Sequence, residues 1–157
     1  MARLARPIDA PAMGTKCGDP ATRRSCLLVD DHETMLSSLS SLLRHEGFVV
    51  VGEAATGAEA IRLLGLSRPD LTVVDFRLPD MTGLDVAREA ARIAPATVLV
   101  LHTGETGPAI AREALAAGVR GVVLKAVPPT HLLAAISAAL AGDVYVDPNL
   151  TGAAPPG

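Results

Sequence analysis

Two periodicities alternate along this chain. Short runs of aliphatic, often β-branched residues are followed by longer stretches in which apolar positions recur every three or four residues. The runs at 25–30 (SCLLVD), 48–54 (FVVVGEA), 70–75 (DLTVVD), 96–102 (ATVLVLH) and 121–125 (GVVLK) predict strands. The stretches at 33–47, 57–66, 82–94, 107–118 and 129–143 predict helices. In the first helix Met35, Leu36, Leu39, Leu42 and Leu43 fall on one face, and Gly47 stops it. Pro95 closes the third helix and Gly118 marks the exit of the fourth. Strands that alternate with helices pair in parallel, with helices covering both faces of the sheet. Burial on both faces explains why the strand runs are apolar throughout rather than alternating with polar residues.

An open parallel sheet carries its sites at the carboxyl ends of its strands. Here the first strand ends in Asp30-Asp31, the third in Asp75, the fourth at His102-Thr103 and the fifth in Lys125. Each signal alone has a plain structural reading. A pair of aspartates caps a helix, a lysine after a strand lies on the surface, and Thr103 before Gly104 starts a helix. Asp80 and Gly83 read as turn and helix-start chemistry. Together at consecutive strand ends they read as a site. Three carboxylates repel one another, and oxygen-only donors call for a hard divalent cation such as Mg2+. Lys125 and Thr103 supply an ammonium and a hydroxyl for a phosphoryl group. A carboxylate such as Asp75 is itself a competent nucleophile toward phosphorus, in a transfer governed by positioning and charge neutralisation. The only other lysine in the chain is Lys16, so Lys125 stands out as a compact point charge in a protein that otherwise uses arginine.

Composition narrows the class. The 157 residues make one domain with short appendages. Half the chain is apolar (49%) but only 2% is aromatic, so the core is built from Val, Leu, Ile and Ala. A net charge of -3 leaves no electrostatic footprint for nucleic acid. Cys17 and Cys26 form neither a disulfide framework nor a metal site, and Cys26 reads as a small buried hydrophobe. No apolar stretch has the length of a signal peptide or a membrane span, so a cytoplasmic protein is expected. Residues 1–24 read as a flexible tail, and 144–157 as a C-terminal extension or linker.

The segments CLLVDDHETMLSSLSSLL, PDLTVVDFRLPDMTGLDVAREA, VLVLHTGETGPAIAREALAAGVRGVVLK and VPPTHLLAAISAALAGDVYVDPNL resemble the receiver domain of two-component response regulators, in the NarL/FixJ (LuxR-type) branch. The resemblance covers about residues 25–150. It implies a flavodoxin-like (CheY-like) fold over 25–143, with five parallel strands in the order 2-1-3-4-5. It implies a phosphoacceptor rather than an enzyme, one that assists its own phosphorylation and dephosphorylation. Asp75 would take a phosphoryl group from the phosphohistidine of a cognate histidine kinase. Asp31, Asp75 and the backbone carbonyl of Arg77 would hold Mg2+, with Asp30 acting through water. Thr103 would be the switch hydroxyl and Lys125 the phosphate-pairing lysine. Counting back from Lys125 puts Thr103, not His102, at the switch position, leaving His102 packed. A homodimer through receiver helices is a further expectation.

The chain departs from the family pattern at Val122, where an aromatic is usual, and at Ala126, where proline is frequent. No segment offers a basic recognition helix, so the expectation is that no DNA-binding domain is present and that an absent or separate effector controls transcription. The competing readings are a stand-alone module, a pseudo-receiver that binds partners without phosphorylation, and a haloacid-dehalogenase-type phosphatase. The last needs a second aspartate two residues after the nucleophile, where this chain has Arg77. Arg77 and Glu105, two past Asp75 and Thr103, are expected to pair across the mouth of the site.

Overall fold

The computed structural model describes residues 23–150. The expected tail lies outside these residues except for Arg23 and Arg24. Eleven elements follow in chain order: β1 (Ser25–Val29), α1 (Glu33–His45), β2 (Val49–Ala54), α2 (Gly57–Ser67), β3 (Leu71–Val74), α3 (Gly83–Ile93), β4 (Val98–Thr103), α4 (Pro108–Ala116), β5 (Gly121–Leu124), α5 (Pro129–Leu140) and β6 (Tyr145–Val146). One parallel sheet holds the strands in the order β2-β1-β3-β4-β5-β6. The order expected for strands one to five is therefore found, and a sixth strand extends it.

That sixth strand corrects the expected count of five, and it falls where a linker was expected from residue 144. Two residues are too few to produce a periodic signal, and the Asp-Pro-Asn that follows reads as a turn. Backbone pairing and one buried side chain hold the segment instead. Tyr145 N–H donates to the Arg120 carbonyl (2.9 Å) and Asp147 N–H to the Val122 carbonyl (2.8 Å). The fully buried Asp147 carboxylate accepts from Leu124 N–H (3.2 Å) and Asn149 N–H (3.0 Å).

Side-chain caps set the starts of α2 and α3. Thr82 and Asp85 form a reciprocal capping box at α3, and Thr56 accepts from Glu59 N–H at α2. The start of α2 has a second anchor from a distant loop: the Asp80 carboxylate accepts from Gly57 N–H (2.7 Å) and Ala58 N–H (2.9 Å). Negative charge there complements the positive end of the helix dipole. Asp80 thus does more than the local turn chemistry expected of it.

The sheet separates two apolar clusters. Leu27, Val74, Leu84, Leu99, Leu101 and Val122 belong to one. Leu28, Leu39, Val73, Val100, Val123 and Leu132 belong to the other. Side chains alternate between faces along a strand, so β4 decides the register of the site. Leu99 and Leu101 share a face with Thr103, whereas Val100 shares one with His102. His102 lines a cavity with Met35, Leu39, Leu42 and Leu132, between α1 and α5. It is packed, as its position in the count from Lys125 implies.

Two predictions follow from this packing. Gly83 opens α3 so close to β3 that an added Cβ would lie 2.2 Å from the Asp75 carbonyl oxygen. Backbone cannot yield as a side chain tip does, so Gly83→Ala should cost about 1–3 kcal/mol, measured by urea unfolding; an unchanged midpoint would mean that the two segments are not in contact. For His102, burial foremost, then the positive charge of Lys125, push the imidazole down from 6.5 to about 4, against a smaller opposing pull from Asp30. The unfolded chain therefore binds the extra proton first. Stability is lost as pH falls from about 6.5 to about 4, by about 3 kcal/mol in total. Replacing His102 with Leu should remove most of that loss, read as a smaller difference in unfolding free energy between neutral and acidic buffer than the parent shows.

Candidate functional site

Three strands, the adjacent β1 and β3 and, one strand beyond β4, β5, deliver one charged cluster to the carboxyl edge of the sheet. Asp30 follows β1, Asp75 follows β3 and Lys125 follows β5. Parallel pairing aligns Val29 with Val74, Val74 with Leu101 and Thr103 with Leu124, so Asp30 and Asp75 leave the sheet side by side while β4 and β5 run on past them, and the long Lys125 side chain reaches back. The Lys125 ammonium lies 2.8 Å from Asp30 Oδ2 and 3.0 Å from Asp75 Oδ2. Both carboxylates are buried: 0% of the Asp30 and 6% of the Asp75 side chain is exposed. Buried charge without a partner is costly, and a single ammonium serves the two of them.

That sharing pulls their proton affinities apart. Burial alone would raise both carboxyls. For Asp30, the Lys125 ammonium beside it and the hydrogen bonds from the His32 backbone and ring outweigh it, and its pKa falls below the ordinary value. For Asp75, burial prevails over the bond from Lys125, reinforced by the negative charge of Asp30, and its pKa rises. Burial would lower Lys125, but pairing with Asp30 and Asp75 wins and holds its pKa above normal. The cluster has a deficit of positive charge that a cation would relieve.

Asp30, Asp31, His32 and Asp75 place one ligand atom each within 4.8 Å of one another. Asp31 is the most open of the carboxylates, with 35% of its side chain exposed. Asp30 Oδ2 is buried and, although 2.8 Å from the ammonium, accepts no well-directed hydrogen bond. An under-satisfied buried carboxylate oxygen beside two further carboxylates fits a hard, oxygen-seeking divalent ion. His32 is the residue the sequence reading missed. Its Nδ1 lies 3.0 Å from Asp30 Oδ1 and 3.1 Å from Asp31 Oδ1, and its N–H donates to Asp30 Oδ1 (2.9 Å). Its place directly after the aspartate pair was the only signal available.

The remaining residues surround this cluster. Thr103 is fully buried, and its hydroxyl accepts from Glu105 N–H (2.9 Å). Lys125 N–H donates to the Thr103 carbonyl (2.7 Å), tying the ammonium-bearing strand end to the hydroxyl-bearing one. Arg77 N–H donates to the Asp75 carboxylate. The Arg77 side chain lies over the Phe76 ring and its Nε pairs with Glu105 Oε2, joining the loops after β3 and β4. The expected pair across the mouth is therefore present. Asp30, Asp75 and Lys125 meet directly, Asp31 joins the same acidic group, and Thr103 and Arg77 flank them.

Residues 26–137 match the family model of the response regulator receiver domain. The chain is 35% identical over 128 residues to the transcriptional regulatory protein PdtaR of Mycobacterium tuberculosis, covering 80% of this chain and 61% of that protein. It is 29% identical over 121 residues to the response regulator UvrY of Escherichia coli, covering 76% of this chain and 56% of that protein. The chain thus spans about three fifths of the length of these curated relatives. A LuxR-family two-component response regulator from an Aurantimonas species superposes with a TM-score of 0.77 at 35% identity, over 82% of this chain and 93% of that one. The receiver domain of the putative response regulator NarL from Mycobacterium tuberculosis gives 0.70 at 30% identity, over 76% of this chain and 98% of that one. A parallel sheet of this order, an acidic cluster bridged by one lysine at its carboxyl edge, and this match across most of the described residues lead to one assignment: the chain belongs to the response regulator receiver domain family, and its relatives are LuxR/NarL-type regulators.

Proposed function

We propose that Asp75 is the phosphoacceptor and that Lys125, Thr103, Asp30 and Asp31 serve it. The observation that carries this reading is the Lys125 bridge between two buried carboxylates, Asp30 and Asp75. It leaves Asp75 Oδ1 outside the bridge as the attacking oxygen. In the transfer, that oxygen forms a bond to phosphorus as the bond from phosphorus to a kinase histidine nitrogen breaks. The nitrogen keeps the electron pair and takes up a proton. Lys125 is placed to pass from the Asp75 carboxylate to a phosphoryl oxygen, and the Thr103 hydroxyl to donate to another.

Mg2+ fits the acidic group, held by Asp31, Asp75 and the Arg77 backbone carbonyl, with Asp30 reached through water. Bound there, it would supply charge neutralisation for the phosphoryl oxygens. The partner is a cognate histidine kinase, and a homodimer through receiver helices is a second contact. We assign the receiver unit to residues 25 to about 150, with a linker beyond it. The output is transcription through an effector, since the matched relatives are transcriptional regulators longer than this chain. No helix among the described residues is long and apolar enough to cross a membrane, and the place of action we propose is the cytoplasm. Receiver domains are signalling modules, and this one would assist its own phosphorylation and dephosphorylation without turning over a separate substrate.

Intact mass after incubation with acetyl phosphate and Mg2+ tests the assignment. One phosphoryl adduct is expected on the parent and none on Asp75→Asn. Asp31→Asn should weaken Mg2+ binding and labelling by at least about tenfold; normal labelling of that variant would remove Asp31 from the ligand set.

The Arg77–Glu105 pair leads to a kinetic prediction. Both side chains lie on loops bordering Asp75, where water must approach in line to hydrolyse the acyl phosphate. An exposed pair adds little to stability, but obstruction of a near-attack position acts directly on rate. Phosphorylated Arg77→Ala and Glu105→Ala should each lose phosphate several-fold faster than the parent, at roughly the rate of the double variant. Additive effects would show that the two act separately.

A further inference from the structure

The segment after α5 touches both strand ends that bear phosphoryl-handling groups. On one side, the Asp147 carboxylate accepts from Leu124 N–H, next to Lys125. On the other, the Leu150 carbonyl accepts from Gly107 N–H (2.8 Å), on the loop that begins at Thr103. Leu150 is fully buried and lies in the same apolar cluster as Ile110, Ala111 and Val122. Ile110 and Ala111 belong to the first turn of α4, and Val122 is paired with Val146 across β5 and β6. Leu150 N–H in turn donates to the Asp147 carbonyl (2.9 Å), closing the segment on itself.

We propose that residues 144–150 form a strap that is docked while Asp75 is unmodified and released at its Leu150 end when Thr103 engages the phosphoryl group. The inference rests on the phosphoacceptor reading of Asp75. The path is short and made of direct contacts. Thr103 Oγ1 holds Glu105 N–H (2.9 Å). A hydroxyl drawn toward Asp75 carries that N–H with it, and Gly107 lies two residues further on. Gly107 has φ +128°, a conformation side chains disfavour, and its lack of a Cβ lets the loop pivot there. Its displacement removes the donor from the Leu150 carbonyl and shifts the first turn of α4, against which the Leu150 side chain packs. Val122, which stands where the family pattern has a ring, is packed in the same buried cluster as Leu150.

Amide exchange of the 157-residue chain, with and without beryllofluoride and Mg2+, tests this. Gly107 and Leu150 amides should exchange about tenfold faster or more when the phosphoryl mimic is bound, while Val100 and Leu101 in the centre of β4 keep their protection. Coupling is reciprocal, so Leu150→Ala should raise the apparent affinity for beryllofluoride by about fivefold or more. Shifts at the Asp75 and Thr103 amides with unchanged exchange at Gly107 and Leu150 would overturn the strap and leave the phosphoacceptor reading standing. So would an equal or lower beryllofluoride affinity in Leu150→Ala. No amide shift at Asp75 or Thr103 would overturn the phosphoacceptor reading itself, and the strap with it. The exchange arm uses the parent protein and stands even where Leu150→Ala fails to fold.

Discussion

A single ammonium between two buried carboxylates organises this molecule. Lys125 is within 3.0 Å of both Asp30 and Asp75, and neither aspartate has appreciable contact with water. Such a cluster is tolerable because Asp30 and Asp75 leave β1 and β3 side by side and the Lys125 side chain reaches back to both from the end of β5. Hydrogen-bonded register, rather than loop conformation, sets their spacing. The core of aliphatic side chains on both faces exists in this sense to hold that edge rigid, and the charge deficit at the edge is what makes it responsive to an added cation or phosphoryl group.

The loops around the edge are tied to the helices they precede. Gly83 lets α3 start against the Asp75 carbonyl, and its N–H donates to the Phe76 carbonyl (2.7 Å). Asp80, in the same loop, reaches across to cap α2. The loop after β3 is therefore pinned at both ends. The loop after β4 is held differently: by the Thr103 hydroxyl, by the Arg77–Glu105 pair and by the Leu150 carbonyl. These are few, separate contacts, and two of them run to groups that a phosphoryl event would disturb. On the proposed reading, the loop pinned at both ends would carry the acceptor and the more sparsely held loop the response.

Much of this was readable in the residues alone. The alternation of strand and helix periods determined a parallel sheet with helices on both faces, because two-sided burial disfavours unpaired polar groups mid-strand; buried Thr72 in β3 is matched by the Thr97 hydroxyl (2.9 Å). The ends of those apolar runs then named Asp30, Asp31, Asp75, Thr103 and Lys125, since an ionisable residue is tolerated only where the strand emerges. Arg77 and Glu105 could be paired in advance because each stands two residues past a neighbouring strand end.

What tertiary structure alone decided has a common physical cause: contacts between segments far apart in sequence, made by groups whose local surroundings look ordinary. Tyr145–Val146 is too short for any period, and becomes a strand only because the β5 edge offers unpaired backbone groups. Asp80 looks like turn chemistry until α2 places two free N–H groups beside it. His32 shows nothing but its adjacency to two aspartates until its ring is seen to meet both. Composition and spacing could determine which residues gather at the sheet edge. The sharing of one ammonium by Asp30 and Asp75, and the docking of Leu150 on the loop that leaves Thr103, depend on through-space distances that no local pattern encodes.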